Sequence, residues 1–339
     1  MTAETMTWND LNASVAQSPF ESEDIAVLDQ IQENEMTGVV DALGPLFLLI
    51  LLGALLGRLW QPIADFWPEM ERLIYFLLFP AMLVATLATA DVSQVPVGRL
   101  AIVLLGVMGV FGALLWTLQG WLRMGADAFT SVFQGALRMN TYVGVAGAAA
   151  LHGAPGVTVA AVAVAIMVPT VNVMCVACFI ASGTLGGASF SRSLLALLRN
   201  PLIIASLLGI ALSVSGIGLP GWSEAMVELL GRAALPLGLV AVGVALRPMA
   251  LLRIDCAVWA TNIVKLVLMP ALVLVLAVVL ELDPVSRDVA LLFSALPTAT
   301  TSYILARQLG GDAEMMAVLI TKQTILAMIT LPLWLRLAG

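Results

Sequence analysis

Charge is what this chain has least of. Asp, Glu, Lys and Arg make up 11% of its 339 residues, where a water-soluble domain carries about 25%. A soluble protein of this size could not cover its surface with so little. Histidine is nearly absent too: the one copy, His152, cannot build a metal cluster. The three cysteines are too few for a disulfide framework. Cys175 and Cys178 are spaced as C-x-x-C, but they fall inside an apolar run and read as small buried hydrophobes rather than a redox pair. A phosphate loop, a dinucleotide fingerprint, a zinc-protease motif and a nucleophile elbow are all missing. With no acid/base or nucleophile constellation the chain does not read as an enzyme, and no metal, cofactor or nucleic-acid partner is expected.

What is present in quantity is hydrocarbon. Hydrophobic residues make up 61% of the chain, and the mean hydropathy is +1.03. Runs such as Leu43–Leu59, Ala101–Leu118, Val157–Ala181 and Leu266–Leu280 approach the roughly 17–25 residues that a bilayer-crossing helix needs. The fold class is therefore an all-α polytopic membrane protein. Ten transmembrane helices are expected, at about 43–61, 70–90, 98–120, 131–151, 157–181, 199–216, 225–246, 256–280, 285–306 and 314–336. Residues 1–41 differ from all of these. They hold nine of the 22 acidic residues and no Lys or Arg, so they lack the positive start of a signal peptide. They read as an acidic flexible tail; alternatively, Met36 is the true start.

Helices one to five can be laid over helices six to ten. Pro45 precedes Pro201 by 156 residues, Pro80 precedes Pro236 by 156, and Gly153 precedes Gly310 by 157. An odd number of spans per copy turns the second copy upside down, so 42–192 and 193–339 are expected to be two inverted five-helix repeats. Inverted repeats point to a secondary transporter with its site near the midplane, where helices are broken. Lys and Arg in the linkers set the orientation. With the N-terminus outside, nine arginines (58, 72, 123, 138, 192, 199, 247, 253 and 307) face the cytoplasm and four (99, 232, 287 and 336) face outward. Both termini are thus expected on the periplasmic side of the cytoplasmic membrane.

The polar groups inside the spans name the candidate site. Helix nine contains Pro297-Thr298-Ala299-Thr300-Thr301-Ser302. A proline cannot complete the interior hydrogen bond. A helix broken there starts a new half whose free N–H groups attract an anion. The plain alternative is a kink with the hydroxyls bonded back to the helix. The equivalent helix four offers Asn140-Thr141-Tyr142 ahead of Gly144 and Gly147, which let helices approach closely. Substrate binding is assigned to Asn140, Thr141, Tyr142, Pro297, Thr298, Thr300 and Thr301, together with Asn172 behind Pro169 and Lys322 in helix ten. Lys265 in helix eight is a possible charge partner. No Asp or Glu falls near the middle of an expected span, so any coupling ion, proton or sodium, would have to manage without a buried carboxylate.

These residues carry a family likeness. The chain resembles the auxin efflux carrier family, whose bacterial branch includes malate and malonate permeases and whose plant members are the PIN carriers. The family's Asn-Pro-Asn-Thr-Tyr run is matched by Arg138-Met139-Asn140-Thr141-Tyr142, with Met139 in place of the crossover proline and Arg138 in place of the first Asn. Its Ala-Leu-Pro is matched by Ala295-Leu296-Pro297, a few residues ahead of Leu305-Ala306-Arg307, and its last helix by Ile329–Leu335. The likeness covers about 42–337. It implies crossing, discontinuous helices four and nine. Helices one, two, six and seven would form a scaffold and a homodimer surface, and the remainder a transport domain that shifts like an elevator. It also implies small organic anions, mono- or dicarboxylates, as substrates. The competing readings are a sodium- or proton-coupled carrier of the bile-acid symporter class and a non-transporting membrane scaffold or receptor.

Overall fold

The computed structural model describes residues 41–59, 66–89, 95–122, 124–184 and 201–338. The acidic tail up to residue 40, the linker Asp91-Val92-Ser93 and the cations Arg123, Arg192 and Arg199 lie outside the described residues. The elements are helical: α1 (Asp41–Leu59), α2 (Phe66–Thr89), α3 (Val97–Leu122), α4 (Ala126–Leu137), α5 (Thr141–Ala181), α6 (Pro201–Ser215), α7 (Gly221–Val244), α8 (Cys256–Val279), α9 (Pro284–Ala295), α10 (Thr301–Leu309) and α11 (Ala313–Ala338). Among the described residues, seven helical stretches are long and apolar enough to cross a membrane. One of these seven, Ala126–Ala181, is not a single straight rod. It is interrupted at 138–140 and again at Gly153, whose φ of 58° and ψ of −139° are not helical. Gly156 then packs against the Ala148 carbonyl. Eight residues of straight helix would hold those positions about 12 Å apart, so the chain folds back on itself at the glycine.

Prolines shape two other helices. In α2 and in α8 a π-turn, at Ile74–Leu78 and Val264–Leu268, comes just before a residue followed by proline, Phe79-Pro80 and Met269-Pro270. Proline has no N–H to give the carbonyl four residues back, and its ring crowds that carbonyl. A wider turn opens the room. In α8 the orphaned acceptor is the Leu266 carbonyl, and the Trp334 indole N–H of α11 supplies the missing donor at 2.7 Å. Capping fixes the starts. The Asp255 carboxylate accepts from the Ala257 amide at the head of α8, and the Asp283 carboxylate accepts from the Ser286 amide at the head of α9, where Pro284 opens the helix.

Packing sorts the helices into two sets. Helices α1, α2, α6 and α7 hold each other through glycines. Gly53 lies against the backbone of Val240, Gly243 against that of Ile50, Gly231 against Met82, and Gly209 against Leu83 and Leu87. In the second set α9 is enclosed by α5, α8 and α11. The sets meet along α5, where Tyr142 stacks edge-on to Phe79 of α2, at 4.9 Å between ring centroids, and covers Gly238 of α7. A Cβ at position 243 would overlap the Ile50 carbonyl. Gly243→Ala is therefore expected to push α1 off α7 and cost about 1–3 kcal/mol, read as a lower melting temperature of the purified protein. An unchanged melting temperature would show that the two helices do not need this close approach.

Candidate functional site

Two interrupted helices meet at the centre. The first interruption has no proline. Arg138, with φ −72° and ψ 150°, and Asn140, with φ −84° and ψ 99°, are extended, and the Asn140 side chain starts the next helix. Its Oδ1 accepts from the amides of Tyr142 and Val143, at 3.1 and 3.3 Å. An N-cap thus does what the crossover proline does in the family's motif. The second interruption runs from Leu296 to Thr300, between α9 and α10. The two are joined directly, the Asn140 amide donating to the Pro297 carbonyl at 2.9 Å. Gly144 and Gly147 of α5 take up Phe293, Leu296 and Leu292 of the α9 side.

Opening a helix inside apolar surroundings strands polar backbone groups, and each must find a partner. Gln323 of α11, fully buried, provides two. Its Oε1 accepts from the Thr298 amide at 2.8 Å, and its Nε2 donates to the Gly135 carbonyl at 3.0 Å. The Thr298 hydroxyl reaches the same two acceptors, the Gly135 carbonyl and Gln323 Oε1, both at 2.7 Å. Thr298 and Gln323 thereby close the ends of α4 and α9 against each other. Polar atoms close to the interruptions that are buried with no hydrogen-bond partner among the described residues include Arg138 Nε, Asn140 Nδ2, the Tyr142 hydroxyl and the Ser302 hydroxyl. They are donors left over once the backbone has been satisfied.

Thr300 faces outward from this crossing. It is the N-cap of α10, yet its side chain does not cap the helix. The hydroxyl donates instead to Glu71 Oε1 of α2, at 2.9 Å. Both residues line a cavity of about 200 Å³ together with Ala245, Arg247, Tyr303, Ile304, Ala317 and Ile320. Arg247 Nη2 donates to the Tyr303 hydroxyl at 3.2 Å, and its guanidinium lies 5.0 Å from the centre of that ring. Arg307 approaches the same ring at 6.0 Å. The cavity thus offers one carboxylate, one guanidinium, one hydroxyl and a phenol on an otherwise apolar wall.

The residues expected at the site divide among several places. Asn140, Tyr142, Pro297, Thr298 and Thr300 surround the crossing, and Thr141 and Thr301 open the two helices that leave it. Asn172 is drawn elsewhere: its Oδ1 accepts from Arg138 Nη1 at 2.9 Å. Arg138 is thus not a cation of a surface linker, as its tally among the cytoplasmic arginines supposed, but a half-buried residue within the first interruption. Lys322 turns away from the crossing. Its ammonium donates to the Arg253 carbonyl and lies 5.1 Å from the centre of the Trp259 ring. Lys265 is fully buried in the π-turn of α8, and its Nζ has no hydrogen-bond partner. Glu71, half-buried near the start of α2, is a carboxylate that the expected site does not include; the expected absence of Asp and Glu concerns only the middle of a span. Gln323, Arg247 and Tyr303 are further residues of the site that the sequence assignment does not include. The signal in the sequence that points to Gln323 is its place in the polar run Lys322-Gln323-Thr324 inside an apolar helix.

Two likenesses bear on what this geometry is for. Residues 187–335, which include the second interruption and Gln323, match the family described as "Membrane transport protein". Over 312 residues the chain is 27% identical to the "Putative malonate transporter" of Rhizobium meliloti (strain 1021), covering 87% of this chain and 93% of that one. The chain is a membrane transporter, similar over its second half to the family of that description. A transporter needs a polar site that is not consumed by folding. In this one the surplus donors at the crossing and the side chains of the cavity are what remain after the backbone has been satisfied.

Proposed function

We propose that this transporter is a secondary carrier of small organic anions, mono- or dicarboxylates, and that the substrate enters through the cavity below the second interruption. The observation that carries the reading is the cavity itself. A volume of about 200 Å³ falls below the roughly 300–1,000 Å³ of drug-sized sites and suits a compact ligand. Arg247 supplies a cation, Thr300 a hydroxyl and α10 a helix start, three features that favour a carboxylate. The malonate transporter named above is consistent with the same ligand class.

The wider architecture is part of the proposal. The helices count as ten spans if α4 with the first half of α5, and α9 with α10, are each taken as one interrupted crossing. Residues 42–192 and 193–339 are then two inverted repeats, both termini lie outside the cytoplasmic membrane, and α1, α2, α6 and α7 are the scaffold and dimer face against which the rest moves. The glycine-tight packing of those four helices and the meeting of the two sets along α5 support this division. A non-transporting scaffold predicts unbroken helices and apolar packing around Pro297, and neither is found. The coupled alternative gains from Glu71, a carboxylate on the cavity wall that could carry a proton or meet a sodium ion.

Uptake into proteoliposomes tests this. Malonate, malate, succinate and an aromatic carboxylate are to be offered with and without pH and sodium gradients. At least one is expected to be transported. Absence of carboxylate flux under every gradient would end the reading.

A further inference from the structure

Thr300 has an unusual partner for an N-cap residue. A threonine at that position ordinarily accepts from an amide of the first turn, but here the hydroxyl donates to a carboxylate that comes from 229 residues away. A carboxylate at the start of a helix is also the chemistry expected of the substrate. Building on the function proposed above, we propose that Glu71 is an internal competitor of the substrate: it holds the Thr300 hydroxyl that a substrate carboxylate takes over, and binding requires its displacement.

Several observations bear on this. Glu71 forms no ion pair among the described residues; the neighbouring Arg72 is instead engaged by Glu69, at 2.9 Å, on the exposed face. Arg247 lines the same cavity but gives its Nη2 to Tyr303. Glu71 is therefore held in place by Thr300 rather than by a cation, and a second carboxylate can replace it there without breaking a salt bridge. A substrate anion beside an undisplaced Glu71 would face like-charge repulsion, which makes the two occupants exclusive. Glu71 belongs to α2, in the set built with α7, and Thr300 to the interruption in the other set. The same hydrogen bond ties the sets together and is released when a substrate carboxylate takes the Thr300 hydroxyl.

Malonate binding to the purified full-length carrier, measured by titration calorimetry, tests the competition. Glu71→Ala is expected to bind about tenfold more tightly than wild type, since one hydrogen bond to a charged group no longer has to be broken first. Glu71→Gln should fall between the two, because its amide oxygen still accepts from Thr300. In a Thr300→Val background the gain from Glu71→Ala should shrink. A gain in affinity is not an outcome that misfolding can imitate, and a melting curve accompanies each variant. If wild type binds malonate and Glu71→Ala binds it equally or less tightly, the inference falls while the proposed function stands. An equal gain with and without Thr300 would mean that Glu71 acts by charge alone, which also overturns it. If wild type binds none of the carboxylates named above, both fall together.

Discussion

Replacing Gln323 with leucine is expected to abolish transport while leaving the membrane spans in place. Leucine keeps roughly the volume of the side chain and removes both of its polar ends. The Thr298 amide then loses its acceptor, and the Gly135 carbonyl loses one of its two donors. That amide is buried, and an unsatisfied buried group costs about 1–3 kcal/mol, while the carbonyl keeps the Thr298 hydroxyl. That loss is an appreciable part of the roughly 5–15 kcal/mol that holds a typical fold. The chain has two ways to recover some of it. The Thr298 hydroxyl can commit wholly to Gly135, and the interruption can close toward continuous helix. Either response removes the opening between α4 and α9. Uptake should therefore fall by two orders of magnitude or more, with a lower melting temperature. Gln323→Glu keeps an acceptor for the Thr298 amide and should be less damaging than leucine. Wild-type uptake by the leucine variant would show that the crossing is held by something other than Gln323.

The sequence made one break legible because its cause is local. A proline followed by hydroxyl residues inside an apolar run marks Pro297, whereas the break at Asn140 is expected from the family resemblance and its cause, an N-cap, is visible only in the structure. The missing proline at Met139 changes little, since the Asn140 side chain and two extended residues open the helix there. What the sequence hid were partners far apart in the chain. Glu71 stands beside Arg72 at the start of a span and looks like an interfacial charge, while its partner Thr300 is 229 positions away. Charge also misdirected the reading of α11. Lys322 is a cation inside an apolar span, but successive helical residues point about 100° apart, so Lys322 and Gln323 cannot both face the crossing. The glutamine does, and the lysine serves the Arg253 carbonyl. Arg138 was counted with linker cations because Asn172, which binds it, lies across the reversal at Gly153.

Arg247→Ala is expected to weaken carboxylate uptake by about 10–100-fold, the equivalent of 1.5–3 kcal/mol for a lost hydrogen bond to a charged group. Arg247 is the one cation among the residues that line the cavity. Its position does not depend on its side chain: the backbone amide donates to the Thr321 hydroxyl at 3.0 Å, which anchors the end of α7 to α11. Truncation should thus leave the melting temperature near that of wild type and act through the ligand. Arg247→Lys should recover part of the loss, because an ammonium keeps the charge but not the planar, paired donors that match a carboxylate. Arg307→Ala should cost less, since that guanidinium sits farther from the Tyr303 ring and does not line the cavity. If substrate bridges Thr300 and Arg247 with two carboxylates, the loss at Arg247 should be larger for malonate than for a monocarboxylate, whose single charge can stay at the head of α10. Equal losses for the two would place both charges at the same end of the cavity. Unchanged uptake in Arg247→Ala would remove the cavity from the transport path and leave the surplus donors of Asn140, Tyr142 and Ser302 as the polar groups around which a site could be built.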